Sequence, residues 1–434
     1  MPKPVADHIK LRRDNKSGVL LSHPGCPPFV QQTARALYEA NLLSKYVTRF
    51  SYQPNTFLGR TVKAGMRLLS SEPEKQLARR QLTEIPSHLV ETHPIPELLR
   101  TAIGKSLGAV PTDLIWEKSE LWFDRMVAKK HLNGEKAAYA YEHSALDTFK
   151  TFKRTGGLCI YEMPICHHRT TAEILEPEFD KFPELRTSYQ RHLEKNAARR
   201  NARKDEELAQ ADLVIVNSGF TKKSLIDAGV ESSRIAVIPL GSPPVQKSAE
   251  KANAPFVFLC AGTQSVRKGV HYLLDAWRKL KPSAAELWLV GHMDLPPRLL
   301  ENLPGKVVIR ESVPQLELSK LYAAADVLVF PSLAEGFGMV ITEAMAHGLP
   351  VITTANTVGP ELITDGANGF IVPIRNVQAL MEKMEWCLDK RTELPVLGDR
   401  ARTKVGAWQW SDYRVALGAR VTDFLNASSQ SDNH

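Results

Sequence analysis

Short apolar, largely β-branched runs alternate along this chain with longer stretches of helical spacing. Residues 18–22 read as a buried first strand. The breaker cluster His23-Pro-Gly-Cys-Pro-Pro28 follows, and residues 29–41 then carry a helical period. Residues 158–161 and 213–216 are strand-like. Ser218 can cap a helix starting near Thr221, Gly229 sits where that helix should stop, and residues 235–238 form the next strand. Residues 243–254 have no apolar period and read as a linker.

The rhythm then restarts. Strands are expected at 256–260, 287–290, 307–309, 327–330, 351–353 and 370–372. Helices are expected at 269–280 and 338–347. This order predicts an α/β fold with two doubly wound, parallel-sheet domains split near residue 245. A cleft should lie between them, at the C-terminal ends of the strands.

Length and composition fit this division. The chain has 434 residues, 43% of them hydrophobic, too many for one compact core. No apolar run approaches the roughly 20 residues of a membrane-spanning helix. No apolar segment follows the basic residues of the N-terminus, so no signal peptide is expected. The five cysteines (26, 159, 166, 260 and 387) are scattered and odd in number. They read as free thiols in a reducing cytoplasm. Residues 1–17 and 427–434 are polar and read as disordered.

The net charge is +8. Part of the excess is local, at Arg60, Lys63, Arg67, Arg79 and Arg80, and again at Arg191, Lys195, Arg199, Arg200, Arg203 and Lys204. Two readings stand side by side: a solvated basic face, or attraction to anionic lipid or a phosphorylated acceptor. Val62, Met66 and Leu69 share a helical face near Lys63 and Arg67, which predicts weak peripheral contact with an anionic membrane. No nucleic-acid-binding motif accompanies the charge, so nucleic acid is not an expected partner.

The densest chemistry lies at 330–351, Phe-Pro-Ser-Leu-Ala-Glu-Gly-Phe-Gly-Met-Val-Ile-Thr-Glu-Ala-Met-Ala-His-Gly-Leu-Pro-Val. A buried strand ends, a loop carries Glu335, Gly336 and Gly338, and a helix begins. Glycines let backbone approach a ligand, and a helix start offers unpaired N–H groups to a diphosphate. Glu343, one turn inside, can accept hydrogen bonds from a ribose diol. Two carboxylates beside a phosphate make sense when their partners are hydroxyls, as in a nucleotide sugar.

Glu335 and Glu343 form the E-x7-E pattern of glycosyltransferase family 4, in its E-G-F-G-x-x-x-x-E-A-M-A-x-G-x-P-V frame. The resemblance runs over about residues 205–411. It includes the stretches at 211–218, 234–241, 262–269 and 359–372, while the first 150 residues match in outline only. It implies a retaining, metal-independent GT-B enzyme acting on a nucleoside-diphosphate sugar, with no cofactor. The acceptor, a glycan, lipid-linked sugar or small molecule, is not identified. The implied domains are 1–244 for the acceptor, 245–254 as linker and 255–408 for the donor. Residues 409–434 form a last helix crossing back to the first domain.

The resemblance also assigns roles. Glu335 would contact the donor sugar and Glu343 the ribose. The backbone of Gly336, Phe337 and Gly338, continuing into Met339 and Val340, would position the sugar and diphosphate. Lys268 matches the family's diphosphate-neutralising lysine. The usual arginine position holds Thr263, and Arg267 is the candidate replacement. Gly25 would let donor and acceptor approach the first turn. A histidine near the cleft is matched by His167 or its neighbour His168; adjacent side chains should diverge, and His167 is preferred. Cys166 beside them suggests zinc only with further ligands, and none has metal spacing. No carboxylate stands out as a nucleophile, which favours a front-face reaction driven by charge stabilisation and positioning. A phosphorolytic enzyme of the same architecture and a non-catalytic nucleotide-sugar binder are the alternatives.

Overall fold

The computed structural model describes residues 18–52, 60, 77, 81–82, 84–94, 108–132, 134–246 and 255–431. The face proposed at Val62, Met66 and Leu69 lies outside them, as do residues 1–17 and most of the linker.

The first half runs β1 (Val19–Ser22), α1 (Pro28–Glu39), β2 (Leu43–Thr48), β3 (Val90–Thr92), α2 (Ala109–Lys130), β4 (Ala137–Tyr141), α3 (Leu146–Lys153), β5 (Leu158–Met163), α4 (His168–Lys181), α5 (Ser188–Gln210), β6 (Leu213–Val216), α6 (Gly219–Asp227) and β7 (Ile235–Val237). The second runs β8 (Phe256–Ala261), α7 (Val270–Leu280), β9 (Ala285–Val290), β10 (Lys306–Arg310), α8 (Gln315–Ala324), β11 (Val327–Phe330), α9 (Met339–Ala346), β12 (Val351–Thr354), α10 (Gly359–Leu362), β13 (Gly369–Val372), α11 (Val377–Asp389), α12 (Leu394–Gly406) and α13 (Trp410–Ser431).

Both sheets are parallel throughout their pairings. The first has the order β3-β2-β1-β4-β5-β6-β7 and the second β10-β9-β8-β11-β12-β13. In each, the order reverses beside the first strand, at β1/β4 and β8/β11. That is where a doubly wound sheet opens a crevice at its C-terminal edge. The central strands are buried on both faces, which is why they read as unbroken apolar runs.

The last helix returns to the first half. Ser242 pairs with Gln409, the Trp408 indole N–H donates to the Pro239 carbonyl at 2.9 Å, and α13 lies along α1. Tyr413 there meets Thr33 at 2.9 Å, and Arg414 donates to Glu39 at 2.7 Å. Residues 427–431, expected to be disordered, extend α13 instead.

The basic stretch on α5 is not simply a solvated face. Arg199 and Arg200 donate to Glu117, Arg200 also pairs with Asp113, Arg203 with Asp124 and Lys204 with Glu142. Much of the local excess is therefore spent inside the first domain, against acids of α2 and β4–α3. The spacing of α5 alone could not reveal partners some 80 residues away.

The halves meet between α4 and α7. Glu178, 1% exposed, accepts from the Tyr272 hydroxyl at 2.8 Å, from His271 Nε2 at 3.1 Å and from Arg375. Among the described residues, no helix is long and apolar enough to cross a membrane.

Candidate functional site

The start of α9 is built as the sequence implies. β11 ends at Phe330, and residues 331–338 loop across the top of the second sheet. Gly338, at φ +90°, caps the helix in a left-handed conformation that disfavours other residues. Among the described residues, the N–H groups of Gly336, Phe337, Gly338, Met339 and Val340 donate to no carbonyl or side chain. The first three residues are buried. Five adjacent unsatisfied donors at a helix start, three on buried residues, form an anion-binding arrangement.

Lys268 and Arg267 converge beside it. Both reach the Glu335 carboxylate, Arg267 Nη1 at 3.3 Å and Lys268 Nζ in direct contact. The backbone forces this meeting: Leu333 N–H donates to the Arg267 carbonyl at 2.8 Å, and Arg267 Nη1 to the Ala334 carbonyl at 2.8 Å. These ties lash the 262–269 loop to the 331–336 loop. Although adjacent in sequence, the two side chains point the same way. Burial pulls the Lys268 ammonium down towards about 6, and the Arg267 charge adds to that. Burial likewise lowers Arg267.

Glu343 lies half-buried one turn into α9. It accepts from the Tyr322 hydroxyl at 2.9 Å and from Gln315 Nε2 at 3.3 Å, while burial raises its carboxyl. Tyr322 and Gln315 orient it from α8, and no sequence motif marked them.

Gly336 has a job besides the one expected of its backbone. A Cβ there would overlap the Pro164 carbonyl just beyond β5. The Gly336 carbonyl accepts from Ser218 Oγ and from Thr221 Oγ1, the latter at 3.2 Å. Its missing side chain therefore admits the first domain rather than a ligand, although its N–H remains free. Glu361, on α10, reaches across the same seam and accepts from Gly219 N–H at 2.6 Å. Gly25 is the reverse case. A Cβ would meet nothing closer than 3.5 Å, and its carbonyl is held by Tyr46 and Thr48, both at 3.0 Å. Neither packing nor backbone conformation demands glycine there.

His167 and His168 do not diverge. Their rings lie side by side, 4.2 Å apart, and both face Asp205, at 3.4 Å and 2.7 Å. The reason is local. His167 caps α4, its Nδ1 accepting from Arg169 N–H at 3.3 Å, which turns its ring back over the first helical residue. It is 2% exposed, and burial, with the charges of His168 and Arg169, lowers it to about 4. Asp205 is the carboxylate missing from the sequence view of this pair. His167, His168 and Asp205 form one group able to hold a metal ion, and Glu91, His93 and His131 form another. In the first, His168 and Arg169 already donate to Asp205; in the second, Lys45 donates to Glu91 at 2.9 Å.

Thr263 is exposed at the tip of its loop. The buried neighbour Gln264 braces that loop, donating to the Gly262 carbonyl at 2.7 Å. A hollow of about 530 Å³, lined by Asp147, Lys150, Thr151, Lys153, Arg154 and Gln210, shares no residue with this site.

Residues 255–390 match the family model of glycosyl transferases group 1. The chain is 30% identical over 210 residues to an MMP α-(1→4)-mannosyltransferase of Mycolicibacterium hassiacum, covering 46% of this chain and 51% of that one. It is 29% identical over 188 residues to the amylovoran biosynthesis glycosyltransferase AmsK of Erwinia amylovora, covering 40% and 46%. The chain spans about half the length of the curated relatives it matches. Two solved structures extend the likeness to nearly the whole chain. Sucrose-phosphate synthase of Thermosynechococcus elongatus gives a TM-score of 0.61 at 19% identity, covering 95% of this chain and 99% of that one. HepE of Anabaena, in complex with UDP-glucose, gives 0.58 at 18%, covering 94% and 99%. The fold is GT-B, two Rossmann-like halves, and the match to the glycosyl transferases group 1 model falls in the second.

Proposed function

We propose that this chain is a retaining glycosyltransferase, moving a hexose from a nucleoside-diphosphate sugar to an acceptor bound by the first domain. The observation that carries the reading is the row of free amides from Gly336 to Val340, with Lys268 and Arg267 on one side and Glu343 on the other. The names of the matched relatives support the same class of reaction.

In this reading the diphosphate sits on the α9 amides. Lys268 turns from Glu335 to the phosphate, with Arg267 beside it, and the freed Glu335 carboxylate accepts hydrogen bonds from the sugar hydroxyls. Glu343 holds the ribose diol with the oxygen lone pairs left by Tyr322 and Gln315. The anomeric C–O bond to the diphosphate breaks. The acceptor oxygen bonds to the same face of that carbon, and its proton passes to the leaving phosphate. Catalysis then rests on fixed charge at the leaving group and on positioning, with the two cations doing without a metal. The reaction takes place in the cytoplasm.

A thermal-shift screen against nucleoside diphosphates and their sugars tests the reading. A ligand at a hundred times its Kd adds about 2.7 kcal/mol of stability. At least one nucleotide should raise Tm in the wild type, and Glu343→Ala should reduce that rise. A rise with no nucleotide, or an equal rise in the variant, would remove the assignment.

A further inference from the structure

Helix α2 is turned inside out. It carries four acidic residues and four basic ones, so its composition looks neutral. All four acids face inward. Asp113 and Glu117 are 9% exposed, Glu120 5% and Asp124 0%. Each is met there by a partner: Asp113 by His192 at 2.9 Å, Glu117 by Arg200 and Glu120 by Arg49, both at 2.9 Å, and Asp124 by the Thr148 N–H at 2.9 Å and by Arg203. What remains outside is Leu114, Lys118, Trp122, Arg125 and Lys129.

Spaced by four, four, three and four residues, these five fall within about 80° of helical arc and run along about 23 Å of the helix. Leu114 is 40% exposed, Trp122 43% and the Arg125 side chain 64%. Ile115 and Leu121 flank the stripe half-buried, and Lys130 adds a further exposed charge at its end. No acidic side chain of α2 interrupts it.

We propose that this face of α2 is the surface by which the protein docks onto an anionic lipid bilayer. A convex helix face with an exposed indole and leucine between lysine and arginine matches the boundary of such a bilayer on both counts. The apolar groups enter the acyl edge, and the cations meet lipid phosphates. The buried pairs explain how the helix itself adds no negative charge to this face: Arg49, Arg200, Arg203 and His192 draw its acids inward, while the half-buried Asp147 of α3 lies 4.0 Å from Arg125 Nε at its edge. The surface lies apart from the residues assigned to the donor, and it differs from the face suggested by Val62, Met66 and Leu69.

Vesicle flotation of the full chain without nucleotide tests this separately from the donor chemistry. At low salt the wild type should float with vesicles of phosphatidylglycerol and phosphatidylcholine, and not with phosphatidylcholine alone. A basic residue near an anionic surface contributes about fivefold to partitioning. The triple variant K118E/R125E/K129E should therefore lose about a hundredfold or more. The double variant L114S/W122S should lose on the order of tenfold. All five sites are exposed, so both variants should keep the wild-type circular dichroism and nucleotide-induced shift in Tm. Absence of wild-type flotation would overturn the proposal, as would unchanged flotation of both variants. So would loss of binding in K63E/R67E while the α2 variants still float. A change in self-association or protein capture, with vesicle binding unaffected, would also count against it.

Discussion

The carbonyl of Pro164, just past β5 of the first sheet, occupies the place where a side chain on Gly336 would begin. A residue of the 331–338 loop is thus defined by the opposite half of the molecule. Gly336→Ala should force the halves apart or distort the loop, at a cost of about 1–3 kcal/mol in denaturant unfolding. Gly25→Ala, with its nearest neighbour at 3.5 Å, should leave stability within about 0.5 kcal/mol. Equal losses in the two variants would contradict the packing described.

Glu335 and Glu343 should separate kinetically. Glu335→Gln removes the carboxylate that holds Lys268 and, in the proposed reaction, accepts from the sugar. Turnover should fall on the order of a hundredfold with little change in nucleotide Kd. Glu343→Ala removes the acceptor of the ribose diol, and nucleotide Kd should rise about tenfold to a hundredfold. Titration calorimetry and single-turnover assays would distinguish the two effects.

Glu178 ties α4 to α7 and to Arg375. Burial alone would raise its carboxyl, but the hydrogen bonds from His271, Arg375 and Tyr272 prevail and hold it down to about 2. Its folded value is below the unfolded one of 4.5. Its contribution is therefore present above pH 4.5 and is lost as pH falls towards 2. Glu178→Ala leaves the buried donors unpaired and should cost about 3–5 kcal/mol near neutral pH. Chemical denaturation at several pH values would show both the loss and a flatter acid limb.

His167 titrates in a different window. Burial first, then the charges of His168 and Arg169, lower it from 6.5 to about 4. The unfolded chain takes up that proton first, so the stability His167 gives is complete above pH 6.5 and is lost as pH falls towards 4. His23 and His143, also lowered to about 4 by burial, act in the same direction. His167→Asn, which can still cap α4, should reduce the slope of unfolding free energy between pH 6.5 and 4. An unchanged slope would show that His167 does not titrate as described.

The second half of the chain was legible from sequence because its central strands β8, β11 and β12 are buried on both faces, and β8 and β9 run into Gly262 and Gly291. The expected run at 327–330 is β11 itself, and 351–353 and 370–372 each fall one residue short of β12 and β13. Lys268 and the candidate replacement Arg267 both meet Glu335, and Glu343 lies one turn into α9. What escaped was set by distant contacts. α2 carries acids along its buried face, so its polarity pattern is reversed and gives no ordinary amphipathic signal. Asp205 joins His167 and His168 from the far end of α5, and Tyr322 reaches Glu343 from another helix. The task of Gly336 could not be read either, because the carbonyl that requires it lies about 170 residues earlier, where one strand of a separate sheet happens to end.

The most direct measurement is a crystal structure of the chain with a nucleoside diphosphate from the thermal-shift screen. The diphosphate oxygens should lie within hydrogen-bonding distance, about 2.7–3.2 Å, of amides between Gly336 and Val340 and of Lys268 Nζ, with the ribose hydroxyls on Glu343. A nucleotide seated away from the start of α9, or Glu343 bonded only to Tyr322 and Gln315 while the ribose lies elsewhere, would contradict the account.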